Sequence, residues 1–148
     1  MLDIIINGAK EVAEKLKQAA EKSAIAMRKG LKRSAIIIEG EAKRIVYDGH
    51  PDHLKGGKGR LRGSITHQVD ESGLTAKIGS NVIYARIHEF GGVIKAKNAP
   101  YLMFKGEDGW VRVKEVTIPA RPYLKPAFEE KGEEASQAFL NVVYEELF

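Results

Sequence analysis

The chain has 148 residues, no cysteine and a formal net charge of +4. Its length suffices for one domain with its own core, and the lack of cysteine excludes disulfides and thiolate chemistry. No apolar run could cross a bilayer, and Asp3 beside the first such run is unlike the basic start of a signal peptide. We therefore expect a single domain, residues 1–148, with no membrane partner.

The charge is unevenly distributed along the chain. Residues 1–69 carry 14 Lys/Arg and 8 Asp/Glu, whereas residues 70–148 carry 10 and 12. This polarity predicts that the basic surface of one copy meets the acidic surface of the next, although solvated helix faces also carry charge. The candidate interface charges are Arg28, Lys29, Lys32, Arg33, Glu129, Glu130, Glu133 and Glu134.

The first half of the chain is dominated by a helical pattern. Leu2–Ile6 is predicted to be a short strand or an apolar anchor. From Ala9 to about Tyr47, apolar residues recur every three or four positions, which predicts one helix roughly 55–60 Å long. Because this exceeds the width of such a domain, part of the helix should project. Gly30 and Gly40 predict a bend or a close approach of another backbone, and the alternative is two helices broken near Gly30.

The glycine-rich segment 48–59 is predicted to be a mobile, basic loop. It lacks the Gly-Lys-Ser/Thr ending of a P-loop, which argues against nucleotide binding. His50, Asp52 and His53, joined by His67 or His88, are residue types that suit zinc. No regular spacing holds them together, so we expect solvated loop residues with neither a metal nor another cofactor.

The second half predicts short strands and two helices. Their expected ranges are strands 60–70 and 74–78, helix 82–90, an extended segment 93–97, strands 101–105 and 110–116, and a helix from Leu124 to the end. Phe90, Trp110 and Tyr123 are expected to be more buried than the loop histidines. The predicted class is α+β: a long N-terminal helix, an antiparallel sheet of about four strands, a short central helix and a C-terminal helix.

Two compact motifs stand out, Tyr84–Gly92 and Val116–Phe128. In the first, Tyr84 and His88 share one face of a helical turn, and Gly91 offers the positive φ that ends a helix. In the second, prolines fix a rigid elbow, and Arg121 is predicted to tie it to the turn at Glu89, Phe90 and Gly91. A general-base pair of His88 and Glu89 is disfavoured, because adjacent residues on a helix point apart.

Two motifs resemble the phage virion morphogenesis family, which comprises tail-completion and neck proteins of tailed phages. They are Tyr-Ala-Arg-Ile-His-Glu-Phe-Gly-Gly (84–92) and Ile-Pro-Ala-Arg-Pro-Tyr-Leu (118–124). Segments 59–65 and 97–104 are similar to two further landmarks. The packing or assembly residues that this resemblance implies are Arg60, Leu61, Tyr84, His88, Glu89, Phe90, Gly91, Gly92, Pro119, Arg121, Pro122 and Tyr123.

The resemblance implies a structural protein rather than an enzyme. Copies would form a ring, expected to be six- or twelvefold, that completes the tail and joins it to the head. Its partners would be itself, neighbouring neck, connector and tail proteins and, non-specifically, passing genomic DNA; it would reside in the virion and, during assembly, in the host cytoplasm. The alternatives are a small metal-dependent hydrolase using the histidines, or a basic DNA-binding module built on residues 28–62.

Overall fold

The computed structural model describes residues 9–48, 59–106 and 108–148. The predicted α+β class is confirmed, and the strands within these ranges pair two by two as the antiparallel ribbons β1–β2, β3–β6 and β4–β5. The elements are α1 Ala9–Asp48, α2 Arg60–Ser64, β1 Ile65–Val69, β2 Ala76–Ser80, α3 Ala85–Phe90, β3 Gly92–Lys95, β4 Leu102–Gly106, β5 Gly109–Val113, β6 Glu115–Ile118 and α4 Leu124–Leu147. In the described ranges, no helix has the length and apolar character needed to span a bilayer.

Helix α1 is continuous over 40 residues, which corresponds to about 60 Å. It runs through Gly30 and Gly40, so the alternative of two helices broken near Gly30 is wrong. A β-carbon at Gly30 would lie 2.7 Å from the ring of Phe139 on α4. Glycine is therefore required there because it lets α4 approach α1 closely, which is one of the two roles predicted for it.

Helices α1 and α4 pack antiparallel along the second half of α1. The Ser34 hydroxyl donates to the carbonyl of Ala135 at 2.6 Å, in the middle of the contact. Where the contact ends, toward the N-terminus of α1, Lys22 Nζ lies 3.3 Å from the carbonyl oxygen of Leu147, the last residue of α4. Residues 10–22 are exposed throughout. The projecting part predicted from the length of α1 is therefore its N-terminal third.

The core lies where α1, α4, α2 and β1 meet. Its buried members are Ile38, Ala42, Ile45, Leu61, Ile65, Ala85, Tyr123, Ala127 and Ala135. The apolar stripe of α1 is thus divided, because Leu16 is 66% exposed while Ile38 is 3% exposed. The second half of the stripe is therefore buried within the chain itself and is not available to neighbouring copies.

The β1–β2 ribbon packs on α1, and its ends differ from the prediction. Residues 60–64, expected to be strand, form the short helix α2, because Leu61 and Ile65 lie one helical turn apart and both enter the core. Leu74, expected on the inward face, is 68% exposed. It belongs to the turn before β2, which begins at Ala76.

Residues 92–118 form one long antiparallel hairpin, called here the β arm. Strand β3 pairs with β6 next to the body, and β4 pairs with β5 at the tip. Residues 97–101 lie between β3 and β4, while the opposite strand continues almost unbroken from 109 to 118. Ten residues of strand span about 33 Å. Neither ribbon of the arm packs extensively against α1 or α4.

Candidate functional site

The two motifs meet through the carboxylate of Glu89, which is 8% exposed at the end of α3. Glu89 Oε2 accepts the backbone N–H groups of Tyr123 at 2.8 Å and Leu124 at 3.0 Å, and Oε1 accepts that of Lys125 at 3.0 Å. These amides open α4 and have no acceptor within the helix. Glu89 therefore caps a distant helix and places a negative charge at its positive end.

A second link joins the motifs through the main chain. The amide of Arg121 donates to the carbonyl of His88 at 2.6 Å. Gly91 has φ 68°, and a β-carbon there would lie 2.8 Å from the nitrogen of Ala120. Only glycine fits this position, because both the backbone angle and the close approach of the elbow exclude a side chain. We call the contacts of Glu89, Gly91 and the Arg121 amide the clamp.

The observed contact of Arg121 differs from the predicted one, because its backbone amide makes it and the acceptor is His88, one residue before the turn 89–91. The positive guanidinium has another effect: burial first, and then the charge of Arg121, lower the pKa of His88. The His88 ring packs edge-on against Tyr84, with centroids 5.7 Å apart. Its Nδ1 is buried and, among the described residues, has no hydrogen-bond partner. His88 is therefore a neutral packing residue at physiological pH.

Tyr123 anchors the elbow in the core. It is 3% exposed, and burial together with the negative charge of Glu89 raises the pKa of its phenol to about 12. The phenol is therefore neutral at physiological pH. Tyr123 is thus a core residue.

Phe90 and Trp110 are not core residues, and that they are more buried than the loop histidines stays a prediction. Phe90 is 74% exposed and Trp110 is 73% exposed; the histidines chosen for comparison, His50 and His53, lie outside the described residues. On α3, Ala85 and Glu89 occupy the buried face. Phe90, one position further on, is rotated by about 100° away from that face. Trp110 is exposed because, within the described ranges, no helix packs extensively over the β arm.

The tip of the β arm exposes a face that is both apolar and basic. Cross-strand pairing places Trp110 opposite Lys105 and Met103 opposite Arg112, and residues paired in this way lie on the same face of a ribbon. Met103 is 64% exposed. The guanidinium of Arg112 lies 5.3 Å from the ring centroid of Tyr101. Large apolar side chains clustered on one exposed face are typical of a binding surface.

A second apolar surface lies on the body of the molecule. It is a groove of about 520 Å³ lined by residues of α1, α4 and β2. Phe128 and Leu140 on its α4 side are 51% and 57% exposed. Side chains that line it include Leu31, Ile38, Ile78, Phe128, Phe139 and Leu140. We call this surface the α1–α4 groove.

The candidate interface charges are partly engaged within the chain. Lys29 pairs with Glu146 at 2.8 Å, and Glu130 pairs with Arg44 at 3.3 Å. Arg28 hydrogen-bonds to the carbonyl of Glu71. Glu129 pairs with Lys125, and Glu134 pairs with Lys131. In the described ranges no ion pair involves Lys32, Arg33 or Glu133. The role of these charges between copies stays a prediction.

Of the candidate metal ligands, His67 and His88 lie within the described residues, and each has a different neighbour. His67 pairs through Nδ1 with Glu39 of α1, and His88 packs on Tyr84. His50, Asp52 and His53 lie outside the described residues. Within the described ranges, no three His, Asp or Glu side chains are grouped closely enough to hold a metal ion.

The remaining motif residues support the clamp and the core. Leu61 is buried, whereas Arg60 is exposed. Gly92 begins β3, and Pro119 and Pro122 flank Arg121 in the elbow. The capping role of Glu89 was missed at the level of sequence. The sequence feature that points to such a cap is the absence of Ser, Thr, Asp or Asn just before Leu124. Without a local capping side chain, the first amides of α4 need an acceptor from elsewhere in the chain.

Comparison with known proteins gives one family. The family model described as the phage virion morphogenesis family matches residues 40–147, which include α2, the clamp, the β arm and α4. Neither a curated protein nor a solved structure gives a significant match to the chain.

Proposed function

The chain belongs to the phage virion morphogenesis family, and from this membership we propose that it is a structural, non-enzymatic protein of the phage neck or of the head-proximal end of the tail. Its copies form a ring, six- or twelvefold, that completes the tail and joins it to the head. Its partners are further copies and the adjacent neck, connector and tail proteins, with DNA passing through the ring.

The observation that carries this proposal is the β arm, which is held to the body at its base but left uncovered at its tip. Trp110 and Met103 are mostly exposed there. An exposed apolar cluster of this kind is costly in a free monomer and is typical of proteins that bind partners. The clamp fixes the base of the arm, because Gly91 and the Arg121 amide join α3 to the elbow. A fixed arm suits an assembly in which every copy meets its neighbour in the same geometry.

Charge supports the same proposal. Lys32 and Arg33 on α1 are exposed, as is Glu133 on α4. Opposite charges on different surfaces favour head-to-tail contact and oppose self-pairing, and salt screens them over about 8 Å. They should therefore guide the encounter of copies rather than hold the ring together.

Mass measurement tests the ring. We expect native mass spectrometry of the protein, purified alone and recovered with its neck partners, to give one closed multiple of the 16.4 kDa chain mass in at least one preparation. Reversal of Lys32 and Arg33 to glutamate should slow formation of that species without unfolding the monomer, and reversal of Glu133 to lysine should partly restore it. A monomer in both preparations would contradict the ring.

A further inference from the structure

We propose that the tip of the β arm of one copy docks into the α1–α4 groove of the next copy. This inference rests on the proposed function, because it names the contact that would close the ring. Both surfaces are apolar, exposed and on the same chain, yet in the described part of the chain the arm does not pack extensively against its own α1 or α4. The occupant of the groove is therefore a second copy.

The apolar areas of the two surfaces are compatible. Burying an aromatic side chain removes about 150–250 Å² from water. Tyr101 and Trp110 are 42% and 73% exposed, so their docking would bury on the order of 200 Å². With Met103 and the stems of the basic residues, this is a large part of the roughly 800 Å² that each partner contributes to a standard interface. The groove of about 520 Å³ is large enough for several such side chains.

The charges of the two surfaces are complementary. The exposed face of the tip carries Lys105 and Arg112 beside its apolar residues. On α4, Glu129 and Glu133 lie one turn apart, and Glu133 lies three residues before Ser136, which lines the groove. This spacing places both glutamates near the α4 wall of the groove. Docking the tip with its basic side chains toward α4 would set them near these glutamates while the apolar residues enter the groove.

The geometry of the contact is heterologous, because the arm and the groove are different surfaces. Each copy offers an arm to one neighbour and a groove to the other, which produces a ring when the rotation closes. The inference therefore predicts that one defective arm and one defective groove, on different molecules, still leave a single intact contact.

Cysteine cross-linking tests the contact directly, since the chain has no cysteine of its own. One protein carries Lys105→Cys, which keeps Trp110, and the other carries Ser136→Cys. The two are mixed as purified proteins at high concentration and, separately, supplied together in cells in which particles assemble; both samples are then oxidised. A disulfide forms only when the two Cα atoms are about 4.4–6.8 Å apart. Docking would bring the two cysteines close together, so we expect a covalent dimer in at least one sample. The control replaces Lys105→Cys by Ile83→Cys, at a residue that is 98% exposed and outside both surfaces.

A complementation test adds a second readout. Trp110→Glu disables the arm, and Leu140→Glu disables the groove. Each variant alone should need a concentration higher by a factor on the order of ten or more to assemble, while its circular dichroism stays that of the wild type. A mixture of the two should stop at a dimer.

The outcomes separate the two proposals. Suppose that particles contain the ring but the cysteines at 105 and 136 form no cross-link, or no more than the Ile83 control does. This result would overturn the docking inference and leave the proposed function standing. Covalent dimers together with a wild-type complex that stops at a reciprocal dimer would overturn the head-to-tail geometry. A protein that is absent from particles and gives no cross-link would contradict both.

Discussion

Replacing Glu89 by alanine removes the acceptor of three amides at once. Oε2 serves Tyr123 and Leu124, and Oε1 serves Lys125, at 2.8 to 3.0 Å. The amide of Tyr123 is in the core and water cannot replace its acceptor, whereas Leu124 and Lys125 are less buried. The substitution therefore leaves one buried donor unsatisfied and removes the cap of α4.

The expected loss follows from these two terms. A buried unsatisfied donor costs about 1–3 kcal/mol, and loss of a helix cap costs about 0.5–2 kcal/mol. Because the terms are not additive, we expect Glu89→Ala to lower the free energy of unfolding by about 3 kcal/mol. For a chain of this size, that lowers the melting temperature by about 6–12 °C. Glu89→Gln keeps one acceptor oxygen but loses the charge at the helix end, so about 1–2 kcal/mol is expected.

Urea denaturation followed by circular dichroism measures these differences. The matched control is Glu145→Ala, which removes the same charge from an exposed position of α4; its free energy of unfolding should stay within about 0.5 kcal/mol of the wild type. If Glu89→Ala were no less stable than Glu145→Ala, the clamp would not be the link that joins the two motifs.

Three further outcomes are expected. Gly91→Ala should lower the free energy of unfolding by about 2–4 kcal/mol in urea denaturation, because its φ of 68° and the elbow 2.8 Å away exclude a β-carbon; a neutral result would refute this reasoning. Phe90→Ala should leave the melting temperature almost unchanged, because its side chain is 74% exposed; a loss typical of core truncation would refute that placement. Burial raises the pKa of Glu39, but hydrogen bonds from Lys43 and His67 outweigh it and hold that pKa below 4.5. The stability that Glu39 contributes is therefore complete above about pH 4.5 and lost as the pH falls through its folded pKa, so denaturation curves of Glu39→Gln should depend less on pH between about 5 and 3; equal slopes would contradict this.

Local patterns were sufficient for much of the fold. The period of apolar residues predicted α1 through Gly30, since a long stripe outweighs the small cost of a glycine. Prolines predicted the elbow and the start of α4 near Leu124, because a fixed φ and a missing amide act within a few residues. Alternation predicted both strands at the tip of the arm, over 101–105 and 110–116.

Features that depend on distant contacts were not predictable in the same way. The cap on α4 comes from Glu89, thirty-five residues before Leu124, and no local rule pairs them. Phe90 and Trp110 were expected to be more buried than the loop histidines because they lie at the ends of elements beside rigid turns. Whether another layer covers them is a property of the tertiary fold, and for Trp110 the missing layer is the reason to expect a partner.

Imaging of particles tests the central claim most directly. The gene for this chain is deleted from the phage or prophage that carries it, and the lysate is examined by cryo-electron microscopy with and without the wild-type protein supplied in trans. A structural role in joining head and tail predicts that the deletion yields heads and tails that remain separate, and that the supplied protein restores joined particles with a ring of density at the neck. Intact, joined and infectious particles in the absence of the protein would contradict the account.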